Sequence, residues 1–272
     1  MSATVFEVNA VAQRLWPVSG TERWDAPGLL VGDPAAAVRS IHLAIDAVGV
    51  TVAEAIGLAA DVLLVHHPLL LRGVTEVAED HYKGSVIASL IRADCALIAA
   101  HTNADVVETG TSAVFAAKLG LQDVRPIVPG SDPGRGIGRV GTLAEPTTLG
   151  MLARSLGDVL PATASGIRVS GDYNQPVHTV ALCGGAGDSM LGEPEVLAAD
   201  VYITSDLRHH PASESRENAR VAGGPALIDV SHWASEWLWL ETAAAELREA
   251  LPGVRVSVSE MRTDPWDFVI VQ

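Results

Sequence analysis

Two stretches of the sequence decide its fold: residues 60–68, Ala60-Asp61-Val62-Leu63-Leu64-Val65-His66-His67-Pro68, and residues 199–211, Ala199-Asp200-Val201-Tyr202-Ile203-Thr204-Ser205-Asp206-Leu207-Arg208-His209-His210-Pro211. Each begins with Ala-Asp, continues as an apolar run that predicts a buried strand, and then reaches His-His-Pro. A strand that ends in adjacent imidazoles brings metal ligands or proton-transferring groups to the edge of a sheet. Chance similarity of two apolar runs is the alternative. The shared Ala-Asp and His-His-Pro favour an internal duplication and two related α/β halves.

Strand and helix patterns alternate along almost the whole chain, which predicts an α/β protein with mixed sheets flanked by helices. Besides the two histidine strands, strands are predicted at 40–47, 95–100, 139–143, 177–183, 226–230 and 254–258. Helices are predicted at 50–60, 83–93, 110–120, 148–156, 190–198 and 231–251. The glycine-rich stretch 131–141 predicts a break between the halves.

Composition limits the classes of protein that fit. The chain has 272 residues, and its 33 acidic against 18 basic side chains give a formal charge of −15, which argues against binding nucleic-acid phosphates. Cys95 and Cys183 lie in apolar, strand-like runs, so buried free thiols and a reducing cytoplasm are expected. Residues 1–12 lack a secretory pattern and the longest apolar runs are strand-sized, so no membrane partner is expected.

Polar clusters follow four of the predicted strands, where open α/β sheets place their ligand sites. These clusters are His66 with His67, His101 with Asp105, Asp206 with His209 and His210, and His232 with Glu236. The concentration of metal-ligand residue types at strand ends predicts a site formed by several of these clusters.

His232 and Glu236 form the most specific pair. They are four residues apart at the start of a predicted helix, so both side chains lie on one helical face. An imidazole and a carboxylate on one face are a common half of a divalent metal site, although an exposed His–Glu pair would have the same spacing. With His66, His67 and Asp105, the set offers three imidazoles and two carboxylates, enough for two ions with water in the open positions.

Several segments resemble the NIF-three-like family, whose members are named GTP cyclohydrolase I type 2 homologues and described as dinuclear-metal hexamers. They appear in the family's order at 24–33 (WDAPGLLVGD), 65–69 (VHHPL), 101–105 (HTNAD), 136–141 (GIGRVG), 203–210 (ITSDLRHH) and 229–236 (DVSHWASE). Three positions depart from the usual family pattern: Asp25-Ala26-Pro27, Ser205 and Ser231. None of these departures changes a metal ligand that the resemblance implies, but they make the pocket contacts of relatives a weak guide.

The resemblance implies a NIF-three-like fold of two similar halves, at 1–128 and 129–225, with the segment 226–272 returning to the first half. It implies a toroidal homohexamer whose subunits each bind two divalent ions, with Glu236 bridging them. The ligands carried over are His66, His67, Asp105, His232 and Glu236. His101 would line the site, with Asp206, His209 and His210 approaching it from the second half.

The leading functional prediction is a dinuclear metal-dependent hydrolase acting on a nucleotide or another phosphate-bearing small molecule. Here His101, His209 and His210 would move protons and Asp206 would contact the substrate. Mixed nitrogen and oxygen ligands suit zinc, iron, manganese or nickel. The alternative is a metal-binding regulatory or assembly protein without turnover. Two weaker signals stay open. The second histidine pair could also be a second pair of metal ligands or lie in a loop facing solvent, and the glycines at 184–187 could be a plain turn or receive an anion.

Overall fold

The computed structural model describes residues 3–132 and 134–271. The strands are β1 Ala3–Thr4, β2 Gly28–Val31, β3 Ala37–Val38, β4 Ser40–Asp46, β5 Val62–His67, β6 Ala96–Ala99, β7 Gln122–Arg125, β8 Val128–Pro129, β9 Gly136–Ile137, β10 Arg139–Thr148, β11 Arg168–Ser170, β12 Pro176–Ala186, β13 Val201–Ser205, β14 Ala226–Val230 and β15 Arg255–Val258. The helices are α1 Val5–Leu15, α2 Gly49–Gly57, α3 Tyr82–Arg92, α4 Thr102–Asp105, α5 Thr111–Lys118, α6 Leu149–Val159, α7 Pro194–Leu197, α8 His209–Ala222, α9 His232–Trp237 and α10 Leu240–Ala250.

The chain divides into two compact units. Unit 1 covers the described residues up to Ala104 together with Leu240–Thr263. Its main sheet has the order β15-β4-β5-β6-β2, in which the first four strands are parallel and β2 is antiparallel to β6. Strands β4, β5 and β6 are buried on both faces, as expected for parallel strands covered by helices. The carboxyl ends of these parallel strands therefore meet at one edge of the sheet.

Unit 2 covers Asp105–Trp239 and the described residues from Asp264 onward. Its six-stranded sheet has the order β11-β14-β13-β12-β10-β7. The central strands β14, β13 and β12 are parallel, whereas β11, β10 and β7 each pair antiparallel with their neighbour. Like the sheet of unit 1, it is a mixed sheet.

Four strands have the same arrangement within each unit. The antiparallel strand β2 beside β6, then β5 and β4, corresponds to β11 beside β14, then β13 and β12. The two Ala-Asp aspartates also make the same contacts. Asp61 Oδ2 and Asp200 Oδ2 each accept hydrogen bonds from the backbone N–H groups 21 and 22 residues upstream, at 2.8–3.0 Å. This internal correspondence supports the predicted duplication.

The α/β class with mixed sheets is confirmed, and most predicted elements lie within a few residues of their observed bounds. His66 and His67 are the last residues of β5, so they belong to the strand that was expected to end before them. No helix in the described ranges is long and apolar enough to span a bilayer. The two compact units are defined by which residues lie close in space, whereas the predicted halves are defined by the duplicated sequence pattern. The predicted boundaries of these halves, 1–128 with 226–272 and 129–225, therefore stay a prediction.

Two helix predictions were wrong in extent. The helix expected at 190–198 is a 3-10 turn, Asp188–Met190, followed by the single-turn α7, because Pro194 can only begin a new helix there. The long helix expected at 231–251 is divided into α9 and α10. The division falls where the chain passes from unit 2 into unit 1, so each helix packs with a different core.

Both thiols are buried, as the sequence predicts. Cys95 and Cys183 are 1% and 5% exposed, and both are free. Burial raises the pKa of Cys95 to about 11 and that of Cys183 to about 12, so neither is a thiolate at neutral pH. We expect no reaction of the native chain with a thiol reagent such as DTNB and two modified thiols per chain after denaturation. Rapid labelling of the native chain would contradict this burial.

Candidate metal centre

Three imidazoles of unit 1 form a compact cluster. His66 and His67 end β5, and His101 follows β6, the neighbouring parallel strand. One ring nitrogen from each lies within 4.8 Å of the others, a separation that a single cation could bridge. The sequence prediction gave His101 a proton-transfer role, whereas its placement also suits a metal ligand.

Two imidazoles of this cluster, those of β5, are fixed through their Nδ1 atoms. His66 Nδ1 donates to the carbonyl oxygen of Ala100 at 2.8 Å. His67 Nδ1 donates to Asp46 Oδ1 at 2.7 Å, a contact prepared by the pairing of β4 with β5, which sets Asp46 opposite His67. When Nδ1 carries the proton, Nε2 is the acceptor nitrogen, which is the form that a metal requires. Ligand histidines characteristically carry such a second partner.

Asp25 holds the third ring in the same way. Its Oδ1 accepts from His101 Nδ1 at 2.8 Å, while Oδ2 accepts from the backbone N–H of Thr102 at 3.0 Å and from its hydroxyl at 2.5 Å. Burial raises the pKa of Asp25, but the hydrogen bonds from His101 and Thr102 outweigh it and lower the pKa to about 2. Asp25 is therefore a carboxylate at neutral pH. The exposed indole of Trp24 lies edge-on to His101, with ring centroids 5.7 Å apart.

Unit 2 contributes an imidazole between two carboxylates. His232 begins α9 after its N-cap Ser231, and one turn later Glu236 Oε1 lies 3.1 Å from His232 Nε2. Asp206 Oδ2 lies 2.7 Å from His232 Nδ1. Burial lowers the pKa of His232, but Glu236 and Asp206 outweigh it and raise the pKa to about 11. The imidazolium thus occupies a place that strongly favours positive charge.

Asp206, which contacts His232, has an unusual backbone conformation. Its φ of 57° is in the left-handed region, which Asp tolerates better than most residues. Its predicted substrate contact stays a prediction, and the contact in the structure is with the ring of His232.

A glycine makes room for the Glu236 carboxylate. The φ of Gly185 is +74°, and a Cβ atom added there would lie 2.3 Å from Glu236 Oε1 and 3.3 Å from His232 Nε2. Its backbone is fixed by an N–H bond to Ser235 Oγ and by Thr204 Oγ1, which donates to its carbonyl, both at 3.0 Å. The sequence predicts a plain turn or an anion site at 184–187, but β12 continues through Ala186. Gly185 faces a carboxylate, so the anion-binding alternative does not fit this glycine.

Asp105 ends the single turn α4 and accepts a hydrogen bond from Thr111 Oγ1 at 2.5 Å. It also lies near the buried Cys183. After burial itself, the negative charges of Asp105 and Glu236 contribute to the raised pKa of this thiol. The two carboxylates therefore lie close enough to one thiol to act on it together.

The second histidine pair has different surroundings from the first. Counting from the matched aspartates Asp61 and Asp200, the position of His67 is occupied in unit 2 by Asp206. The two histidine pairs are therefore not at equivalent places in the two units. Their local structures differ as well, since His209 and His210 begin α8, whereas His66 and His67 end β5. The alternative of a loop facing solvent is right about exposure, since both side chains are exposed, but the two residues lie in a helix rather than in a loop.

His209 lines a cavity of about 410 Å³ that includes Arg168 and Arg216. Neither His232 nor Glu236 is among the described residues that line it. Within the described ranges, no group of three candidate ligands contains His209 or His210. Their catalytic roles stay predictions.

Two of the aspartates that orient the rings, Asp46 and Asp25, were not among the candidates from sequence, although each had a signal. Asp46 is the polar end of an otherwise apolar strand, and Asp25 lies in one of the segments that carry the family resemblance. The carbonyl of Ala100, which holds His66, had no signal because every residue has such a group.

Comparisons with known proteins agree with this fold. The model of the Duf34/NIF3 (NGG1p interacting factor 3) family matches residues 3–265. A protein of Streptomyces coelicolor named GTP cyclohydrolase 1 type 2 homolog is 47% identical over 96% of this chain and 92% of its own. A protein of Clostridium perfringens with the same name is 32% identical over 97% of this chain and 98% of its own.

Solved structures give the same picture. A Bacillus cereus protein related to NIF3 has a TM-score of 0.88 at 22% identity, covering 99% of this chain and 100% of its own, and it supports the fold alone. A Staphylococcus aureus protein has a TM-score of 0.86 at 26% identity, covering 98% of this chain and 99% of its own. The family match spans nearly the whole sequence and agrees with the resemblance carried by the histidine segments. The chain belongs to the Duf34/NIF3 family.

Proposed function

We propose that the protein is a metal-dependent hydrolase that binds two divalent ions per chain. The proposed ligands are His66, His67, Asp105, His232 and Glu236, with Glu236 shared by both ions. The observation that carries the proposal is the fixing of the imidazoles of His66, His67 and His232 through Nδ1, the outer-sphere arrangement typical of ligand histidines. The assignment of all five to one centre rests on the family resemblance.

The donor chemistry of each unit fits such ions. Unit 1 offers imidazole nitrogens, and unit 2 offers an imidazole beside buried Glu236, with the space made by Gly185. The negative charges of Glu236 and Asp206, which raise the pKa of His232 by stabilising its bound proton, would also stabilise a metal ion in the same place. Bound ions of this class lower the pKa of water and polarise a substrate oxygen. Zinc, iron, manganese and nickel all suit these donors.

The proposed substrate is a nucleotide or another small molecule that carries phosphate. The names of the Streptomyces coelicolor and Clostridium perfringens relatives support it, since both refer to GTP cyclohydrolase. Trp24 supports it independently. Trp24 is 59% exposed and its indole lies beside His101, so a planar base could stack on it.

Proton transfer is assigned to His101, with Asp25 holding Nδ1 so that Nε2 can accept or return a proton. His209 and His210 are proposed as further proton carriers, and Asp206 as a substrate contact. From the family resemblance we also propose a toroidal homohexamer in the cytoplasm, and sedimentation of the purified protein would test the hexamer.

The test of the function is turnover by the metal-loaded chain. Wild type and His101→Ala would be assayed with GTP, other nucleoside triphosphates and simple phosphoesters, following ring opening by absorbance and phosphate release. We expect turnover in the wild type, and metal content unchanged but turnover lost in His101→Ala. Loss of metal in the variant would make His101 a ligand. Metal binding without turnover of any compound would favour the regulatory or assembly alternative.

A further inference from the structure

The C-terminal segment contributes two consecutive polar residues, Thr263 and Asp264, to the surroundings of the proposed ligands. In unit 1, the hydroxyl of Thr263 donates to Asp46 Oδ2, while Asp46 Oδ1 accepts from His67 Nδ1. Both oxygens of Asp46 are thereby engaged. A carboxylate held at both oxygens resists rotation about its own χ2 bond, so the imidazole that it holds keeps one orientation.

Asp264 contacts the N-cap of the helix that carries His232. In unit 2, its Oδ2 accepts from the hydroxyl of Ser231 at 2.5 Å. That same oxygen of Ser231 accepts the N–H of Ala234 at 3.2 Å and so forms the N-cap of α9. His232 is the first residue of the helix, so the direction in which α9 begins determines where its imidazole lies. Asp264 Oδ1 also accepts the N–H of Trp266, which fixes the carboxylate itself.

We propose that Thr263 and Asp264 are positioning residues for the metal ligands, Thr263 through Asp46 for His67 and Asp264 through Ser231 for His232. The inference rests on the proposed function, because it needs these histidines to be ligands. Partners one step removed from ligand histidines usually affect metal affinity by roughly 10–100-fold. In this role the segment that follows β15 would help to hold the metal ligands in place.

The experiment measures Zn²⁺ affinity of the full chain, stripped with a chelator and titrated with the metal alone against a competing indicator. Thr263→Val removes the hydroxyl at nearly constant volume, and Thr263→Ser restores it. Asp264→Ala removes the acceptor, and Asp264→Asn keeps an oxygen. The matched control is Ser259→Ala, which removes a hydroxyl of the same segment that bonds to Glu54, a residue paired with His42 rather than with a proposed ligand.

We expect Zn²⁺ binding weakened by roughly 10–100-fold in Thr263→Val and Asp264→Ala, with most of the affinity regained in Thr263→Ser and Asp264→Asn. Ser259→Ala should lower the unfolding temperature and leave the affinity at the wild-type value. Wild-type affinity in Thr263→Val and Asp264→Ala, or an equal loss in Ser259→Ala, would overturn the positioning role. Absence of Zn²⁺ binding by the wild type would overturn the proposed function instead, and the positioning role with it.

Discussion

Gly185→Ala is expected to abolish metal binding while leaving a folded chain. The new methyl group would lie 2.3 Å from Glu236 Oε1, far inside van der Waals contact, so the carboxylate must leave its place. The left-handed φ of +74° adds about 1–2 kcal/mol of backbone strain for alanine. Displacing a ligand directly should cost more than the roughly 10–100-fold associated with loss of an outer partner. Metal analysis and Zn²⁺ titration of the purified variant would measure the effect.

The adjacent glycine supplies the control. A Cβ atom at Gly184 would meet Thr111 atoms at 3.5 Å, which is ordinary contact, and its φ is not in the left-handed region. Gly184→Ala should therefore bind metal like the wild type. If Gly185→Ala retained its metal, or if Gly184→Ala lost it equally, the space beside Glu236 would have no role in the site.

Asp25→Asn is expected to remove most of the pH-dependent stability that unit 1 draws from the charged Asp25 carboxylate, which accepts hydrogen bonds from His101, Thr102 and the backbone N–H of Ala26. The pKa of Asp25 is about 2 in the folded chain against 3.8 for the free side chain, and its side chain is fully buried. The charged carboxylate therefore contributes about 2 kcal/mol of stability. Because the folded pKa is the lower one, this contribution is complete above about pH 4 and disappears as the pH falls toward 2.

Chemical denaturation of metal-free wild type and Asp25→Asn between pH 2 and 7 would test the contribution. We expect the variant to be less stable by about 2 kcal/mol or more at neutral pH, with the difference shrinking below about pH 4. An asparagine at this position has one accepting oxygen in place of two, so it cannot hold His101 and Thr102 as the carboxylate does. The position of the His101 ring should therefore also change. A constant difference across the whole pH range would show that the carboxylate charge is not what stabilises this contact.

The sequence pattern predicts much of this fold because its signals are local. Ala-Asp followed by an apolar run identifies β5 and β13, and the structure gives their aspartates, Asp61 and Asp200, the same backbone contacts. The four-residue spacing of His232 and Glu236 likewise predicts one helical face, and the observed 3.1 Å contact agrees with it.

The parts of the site that the sequence does not predict depend on contacts between residues distant in sequence. Asp46 meets His67 only because β4 and β5 pair in one register, and Asp25 meets His101 across 76 residues. No periodic pattern encodes such pairings. The role of Gly185 cannot be predicted from its sequence, because a glycine that makes room for a carboxylate has the same sequence signature as a glycine in a turn.

The local structure of the second histidine pair could not be predicted from its sequence either. His-His-Pro fits the end of a strand and the first turn of a helix equally well, since proline is tolerated at both places. The correspondence of the two units aligns Asp206, not His209 or His210, with His67. The shared Ala-Asp is thus the better guide to the duplication, and the roles of His209 and His210 in the site stay predictions.

The most direct test of the metal centre is the metal content of protein purified without added metal or chelator, with wild type and Glu236→Ala measured side by side. Glu236 is buried beside His232, and it is the proposed shared ligand. We expect about two divalent ions per wild-type chain and loss of most of them in a variant that remains folded. A wild type without metal after reconstitution, or a Glu236→Ala variant that keeps both ions, would contradict the proposed centre.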